Sequence, residues 1–492
     1  MPIESIRPLL AVAVALFWSV PLVLYRRSPN IREGCSLAAG VMMFIIVLSM
    51  VPAVLAGNTL NYTLLSIAPG LSFAFKVDAM GILFAITASF LWILTTFYSI
   101  GYMRSLKEHA QTRYYLCFAL TLSATIGVAF AANLLTLVFA YEFVGIFAYP
   151  LVVHNETKEA YAKGNKYIFY LFLTAKLFMF AAILSYSLSD TLDFKPNGVF
   201  PSDADPTLLT IIFILFVLGI GAKAGIMPFH SWLPAAMIAP TPVSALLHAV
   251  AVVKVGVFTL LRVGLFTFGL DTLKQLDVGT PLVYFVCFTI VAASVVALTR
   301  DNLKARLAYS TISQLSYIIL GMALLTTAGV TGGVLHIVNH AFAKITLFFC
   351  AGAIFVASGK TKVSELNGIG KQMPFTMAAF TIASLSLIAF PPFAGFLTKW
   401  YLISGSVESE QYYAVAVLVT SSILNACYFL PIVYAAYFRD LPSGEKAERR
   451  EAPAIAVVPL MLTAIGTLVL FFAPSVFLDL AKMVSASVGG GN

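Results

Sequence analysis

Charge is what this sequence has least of. Only 11% of its 492 residues are Asp, Glu, Lys or Arg, against roughly 25% in soluble globular domains. Hydrophobic residues make up 60%, and the mean hydropathy is +0.93. That balance excludes a secreted, disulfide-bonded or nucleic-acid-binding domain. Cysteine is scarce too: Cys35, Cys117, Cys287, Cys350 and Cys427 are odd in number, mostly inside apolar runs, and never form CxxC. They read as small buried hydrophobes, so no metal or haem site is expected. Six histidines are too few and too scattered for a centre with several haems. GxGxxG, Walker and Ser/His/Asp patterns are missing, so no cofactor, nucleotide or nucleophilic site is expected. If the protein serves redox chemistry, the electrons run elsewhere.

Long apolar runs are abundant instead. LLAVAVALFWSVPLVL (9–24) and TIIFILFVLGIG (210–221) are examples, and a membrane helix needs about 20 such residues whereas a barrel strand would alternate. Charged, Pro and Gly breaks delimit helices near 5–25, 35–56, 77–103, 113–131, 133–154, 161–188, 207–227, 241–265, 281–299, 303–326, 329–358, 373–403, 411–438 and 453–483. The expected fold is therefore all-α, a polytopic membrane protein of about fourteen transmembrane helices. The first run lacks a small-residue cleavage site before Arg26 and is read as the first helix.

Basic loop residues orient the chain, because cytoplasmic loops retain Lys and Arg. Loops after the first, third, fifth, ninth, eleventh and thirteenth spans hold 19 of the 30, from Arg26, Arg27 and Arg32 to Arg439, Lys446, Arg449 and Arg450. The opposite side has Arg7, Lys195, Lys274 and Lys482. Both termini are expected outside the cytoplasm, in a cell inner or plasma membrane. The net charge of +8 is then mostly loop bias, and no nucleic-acid partner is expected.

Seven basic residues remain within or beside the spans: Lys76, Lys176, Lys223, Lys254, Arg262, Lys344 and Lys399. Only Asp78 and Glu142 match them among the acids. An ionisable group at the bilayer centre costs about 2.5–3.5 kcal/mol on insertion scales, so it persists mainly where it faces protein or water and serves a pathway. Lys76, Asp78 and Arg262 sit at span ends and are read as snorkelling. Glu142 lies deep in LLTLVFAYEFVGIFAYPLVV. Lys223 is its candidate partner and Lys176 a second, with a static ion pair as the bland alternative. His336, His340 and Lys344 recur at i, i+4 and i+8, so they stack on one helical face with Asn339 beside them. His248 and Lys254 are six residues apart on adjoining faces. His230 is read as structural. Such a row carries protons if neighbouring charges change one another's affinity, which is ordinary electrostatics in a low-dielectric site.

Prolines break two spans beside lysines, in GIMPFHSWLP at Pro228 and Pro234 and in AFPPFAGFLTKW at Pro391 and Pro392. Matching interruptions in two halves are the sequence pointer to inverted repeats with midplane ion sites. The expected divisions are 1–112 for the first three helices, 113–266 and 281–438 for two five-helix repeats, and 453–483 for the last helix.

KAGIMPFHSWLPAAMIAPTPVSALLHAVAVVKVGVF, HIVNHAFAKITLFFCAGAI and PPFAGFLTKW resemble the antiporter-like subunits shared by respiratory complex I, membrane-bound hydrogenases and Mrp-type cation/proton antiporters. The resemblance covers roughly 75–450 and implies fourteen helices, two inverted five-helix repeats, broken seventh and twelfth helices and a central polar axis. By it, Glu142 matches the fifth-helix glutamate, Lys223 its seventh-helix partner, Lys254 the bridging eighth-helix lysine, His336 and His340 the eleventh-helix histidines, and Lys399 the terminal charge of the twelfth helix. Lys176 is a departure from that pattern. Sequence flavour is most similar to Mrp D-type subunits, without the lateral helix of the distal complex I subunit. The expected function is proton translocation coupled to a monovalent cation, Na+ being the candidate, within a hetero-oligomeric complex in the lipid bilayer. The rivals are a redox-driven arm of an NADH:quinone oxidoreductase or hydrogenase complex, a stand-alone secondary transporter, and a membrane scaffold.

Overall fold

A computed structural model describes residues 1–443 and 447–489; Lys446, one of the basic residues used for orientation, lies outside them. The chain opens with β1 (Pro2–Glu4), α1 (Arg7–Leu24), α2 (Pro29–Leu48) and the short α3 (Val51–Leu55), then a hairpin of β2 (Thr59–Ala68) and β3 (Leu71–Val77). Next come α4 (Ala79–Ser105), α5 (Gln111–Ala129), α6 (Leu134–Val152), α7 (Lys158–Ser189), α8 (Pro206–Ala224) and the single turn α9 (Trp232–Ala235). The centre holds α10 (Thr241–Ala249), α11 (Val252–Val263), α12 (Leu270–Gln275), α13 (Gly279–Leu298), α14 (Leu303–Ala323) and α15 (Thr327–Ser358). The chain closes with α16 (Ile369–Gln372), α17 (Pro374–Ile388), α18 (Ala394–Glu408), α19 (Tyr412–Phe438), α20 (Ala454–Phe472) and α21 (Ser475–Val488).

Side-chain caps mark where the longer helices begin. Asp78, Asn133, Thr157, Asp205, Asn302 and Thr326 each accept from a backbone amide two or three residues on, satisfying one of the amides a helix start leaves free. Helices stand at all the expected span positions. Among the described residues, 11 are long and apolar enough to cross a membrane, so the chain is a mostly helical, multi-pass membrane protein.

Four features differ from the sequence reading. The expectation of a purely helical chain misses a three-stranded sheet in the order β1-β2-β3, with β1 parallel and β3 antiparallel to β2. Its turn is Pro69-Gly70, where Gly70 has φ +70 and a Cβ would strike the Asp190 carbonyl oxygen, so only glycine fits. Second, the span expected at 241–265 is interrupted at Val250 and Ala251 with no proline. Third, the span expected at 453–483 divides at Ala473 and Pro474. Fourth, Cys427 is exposed while the other four cysteines are buried. The proline-marked breaks do appear: α8 stops at Ala224 before left-handed Gly225, and α17 stops at Ile388 before left-handed Ala389.

The core is organised around α15, in which every residue from Gly329 to Ile354 is buried. It packs against α4, α10, α14, α17, α18, α20 and α21. The segment 241–268 is likewise wholly enclosed. A periphery of α1, α2, α7 and α19 keeps large apolar side chains such as Phe17, Ile45, Phe169 and Tyr434 exposed, as lipid-facing helices do.

Asp78 and Arg262 do not snorkel. Arg262 is buried and makes a two-pronged bond to the Asp78 carboxylate, Nη2 donating to Oδ1 at 2.9 Å and Nη1 to Oδ2. Asp78 Oδ1 also accepts from Gly81 N at 2.8 Å, so one carboxylate caps α4 and ties it to α11. The sequence suggests water at these span ends; the structure covers Arg262 with the rings of Phe258 and Phe266. Arg262→Leu should destabilise the chain by about 3–5 kcal/mol, because it strands a largely buried carboxylate. Lys371→Ala, which removes the exposed pair with Asp440, should leave stability unchanged. Denaturant unfolding in mixed micelles checks both; equal effects would contradict this account.

Candidate functional site

The titratable residues picked out in the sequence fall into a lateral pair and a central row. Glu142 projects from α6, where its Oε1 accepts from Lys176 Nζ of α7 at 2.9 Å. This corrects the first-choice pairing: Glu142 pairs with Lys176, not Lys223. The side chains are 19% and 43% exposed, and Phe139, Phe143, Ile146, Phe169, Phe172 and Leu173 around them are exposed as well. Lys176 Nζ sits 4.1 Å from the centre of the Phe172 ring, a cation–π contact. The pair thus lies on an apolar flank of the molecule, not in its core.

Lys223 is fully within the bundle, one residue before the end of α8. Its Nζ donates to the Tyr141 carbonyl and sits 3.4 Å from the Tyr141 ring centre. Tyr141 directly precedes Glu142, so α6 holds the acid on its outer face and the lysine's acceptor on its inner one. Gly256 of α11 presses on the same place, since a Cβ there would fall 2.5 Å from the Lys223 carbonyl carbon. Glycine lets α8 and α11 approach this closely.

Lys254 follows the unexpected break between α10 and α11 by three residues, and its Nζ lies 2.6 Å from His340 Nδ1 of α15. Both are fully buried. His336 stacks one turn away from His340, with ring centres 5.6 Å apart, and 5.4 Å from Tyr317. The i, i+4 spacing therefore holds in space for the two histidines. Lys344 leaves that line: its Nζ donates to Ser310 Oγ at 2.8 Å and Leu307 O at 3.3 Å on α14. His248 packs on Phe348, ring centres 4.8 Å apart, and joins neither Lys254 nor His340.

Lys399 of α18 donates to Ser422 Oγ of α19 and faces the Tyr317 ring at 5.2 Å. Gln314, Tyr317, His336, Asn339, His340 and Lys399 line one narrow void beside the break after α17. Among the described residues, both ring nitrogens of His248 and His336, and Nε2 of His340, have no hydrogen-bond partner in the protein. Buried polar atoms of this kind are ordinarily bonded to protein or ordered water.

Several participants were missed. Ser310, Ser422, Gln314 and Tyr317 supply acceptors or walls, yet as neutral residues in apolar helices they carry no charge signal. Lys304, counted among the loop lysines, is part-buried and donates to Ala239 O at 2.6 Å. It lines a cavity of about 270 Å³ with Tyr102, Glu108, Thr241 and Lys360. Its place in the polar stretch RDNLKAR masks that orientation.

A membrane-embedded helical bundle that buries a row of cations beside broken helices defines a class of ion-conducting membrane subunit. Within that class, the chain belongs to the NADH:quinone oxidoreductase/Mrp antiporter transmembrane family, whose model matches residues 131–425. It is 29% identical over 483 residues to NADH-quinone oxidoreductase subunit N of Desulforudis audaxviator, covering 94% of this chain and 95% of that one. It is 31% identical over 417 residues to Na(+)/H(+) antiporter subunit A1 of Staphylococcus haemolyticus, covering 81% of this chain but 51% of that relative. Other matched relatives are also longer, and the chain spans 62% of them. A chain in the Mrp complex of Dietzia sp. DQ12-45-1b has the same fold, with a TM-score of 0.85, 21% identity and 98% of each chain covered.

The ion pair makes a checkable statement. In a double-mutant cycle, Glu142→Gln and Lys176→Met should be non-additive in unfolding free energy by roughly 0.5–1 kcal/mol, near the low end because the pair is part-exposed. Coupling of Glu142→Gln to Lys223→Met should be smaller. The reverse order would restore Lys223 as the partner.

Proposed function

We propose that this chain is a proton-translocating antiporter subunit of a multisubunit complex in the cell inner or plasma membrane, of the Mrp D type, exchanging protons for a monovalent cation such as Na+. The observation that carries the reading is the buried Lys254–His340 contact at 2.6 Å. A lysine and a histidine at hydrogen-bond distance can share one proton, with His340 Nδ1 accepting from Lys254 Nζ. Protonating both places like charges side by side in a low-dielectric interior, which is costly. A proton arriving at one station therefore favours departure from the next.

In this scheme Lys223, Lys254, His340, His336 and Lys399 are successive stations. Lys344 and His248 modulate the row from its flanks. Glu142 and Lys176 gate it from the side, where a neighbouring subunit covers them. The broken helices divide the chain into repeats over 113–266 and 281–438. The excess of Lys and Arg in the loops of one side supports both termini lying outside the cytoplasm.

The second reading is a proton-pumping arm of a redox complex, favoured by the end-to-end match to an NADH-quinone oxidoreductase subunit. The same residues would move protons, with electron transfer in other subunits as the drive. Purification in mild detergent separates the two. Mrp-like small subunits without redox proteins support antiport, whereas bound Fe–S, flavin or nickel subunits support the redox arm. In proteoliposomes containing the purified assembly, Lys254→Met and His340→Ala should each slow proton movement by about tenfold or more, read with an internal pH dye. Wild-type rates in both variants, with the assembly intact, would sink the proposed pathway. Lys371→Ala should leave the rate unchanged.

A further inference from the structure

One cluster outside the ion pathway is unused by any step above. It lies where the loop after α4 meets the end of α6, at the end of the bundle that gathers the basic loops. Glu108, His109 and His154 each offer a ligand atom, and these atoms all lie within 4.8 Å of one another. Glu108 Oε2 is 3.8 Å from His154 Nε2 and 4.0 Å from His109 Nδ1. The two imidazoles are tilted against each other with ring centres 4.8 Å apart. Glu156 approaches from behind, its Oε2 3.8 Å from His109 Nε2. Arg113 neutralises Glu156 through an ion pair and donates to His154 O at 3.2 Å.

His154 is the informative member. It is 0% exposed, and among the described residues its ring nitrogens make no well-formed hydrogen bond, the nearest polar groups being the His109 backbone and the Glu108 carboxylate. A buried imidazole normally spends at least one nitrogen on a neighbour, and an exception calls for a specific cause such as an ion. Its Nε2 is aimed at the Glu108 carboxylate.

We infer that Glu108, His109 and His154 form a binding site for a divalent first-row transition metal of the Zn2+ type. Two neutral imidazoles and one carboxylate are a ligand set suited to such ions rather than to the hard cations Na+, Mg2+ or Ca2+. Tetrahedral bonds of about 2.0–2.2 Å put ligand atoms roughly 3.4 Å apart, so the 3.8 Å edge has to close by a few tenths of an ångström and the widest, within 4.8 Å, by about an ångström or more. Glu108 and His109 are on a loop and able to move, while His154 is fixed. Three protein ligands leave one position for water. Glu108 also belongs to the wall of the cavity lined by Lys304 and Thr241, so a bound metal would fix one wall of that cavity.

The absence of ligand spacing in the sequence does not argue against this site. His109 and His154 are 45 residues apart, and their proximity is created by the return of α6 alongside α5. The site is also independent of the proton pathway, so failure of either reading leaves the other standing.

The test uses the full-length protein, purified with a histidine-free tag in its assembly, stripped with chelator and titrated with Zn2+, then with Co2+ as a spectroscopic probe. The expected result is one tightly held Zn2+ per chain and a visible Co2+ absorption band of a low-coordinate site. His109→Ala and Glu108→Gln, both at part-exposed positions that leave the fold intact, should each weaken binding by about tenfold or more and remove the band. His154→Ala should do the same, with its unfolding midpoint measured in parallel. Retention of no metal by the wild-type protein, or equal binding by wild type, His109→Ala and Glu108→Gln, would overturn the assignment.

Discussion

The cost of placing ammonium groups inside a membrane protein is the constraint on which the rest of this architecture depends. Lys223, Lys254, Lys344 and Lys399 are all buried, and among the described residues none is in an ion pair with a carboxylate. Each finds a neutral acceptor instead: the Tyr141 carbonyl, His340 Nδ1, Ser310 Oγ with Leu307 O, and Ser422 Oγ. A neutral acceptor solvates an ammonium without trapping it, whereas a buried carboxylate would hold the proton in a fixed ion pair. Arg262 shows the contrast. It does have a carboxylate, Asp78, on a two-pronged bond, and it serves as a tie between α4 and α11.

Those acceptors sit on continuous helices: Tyr141 on α6, Leu307 and Ser310 on α14, His340 on α15 and Ser422 on α19. The helix interruptions lie beside the lysines instead. At the ends of α8, α10 and α17 the chain leaves helical geometry beside Lys223, Lys254 and the void that Lys399 lines. Close packing keeps the row continuous. Gly256 brings α11 onto α8 at Lys223, and α15 threads the centre so that His336 and His340 face both halves of the molecule.

The flank bearing Glu142 and Lys176 follows different physics. A half-exposed ion pair amid exposed Phe and Leu side chains is a poor surface to present to lipid. It is a reasonable surface to present to another membrane subunit, and the relatives and structural neighbours of this chain are members of multisubunit complexes. Lys176 therefore changes where the glutamate's charge is balanced: on the outside of α6 rather than in the central row.

Much of this was legible in the residues alone. Hydropathy and length located the helices, because a span must be apolar over its whole length whatever its neighbours are. Prolines marked two of the breaks, since a missing amide acts locally. The i, i+4 spacing predicted the stacking of His336 on His340. Pairing across helices was not legible. Whether Glu142 meets Lys176 or Lys223 depends on the rotation of α6 about its axis, and no single sequence encodes that locally. The break at Val250 has no proline or glycine to announce it. Lys304 and His154 are loop-adjacent by sequence, yet the fold part-buries Lys304 and fully buries His154. Sequence by itself determined that this chain lives in a membrane and carries charge there, because burial in lipid is a property of composition. Tertiary structure decided which charges touch, because contact depends on the relative rotation and depth of helices far apart in the chain.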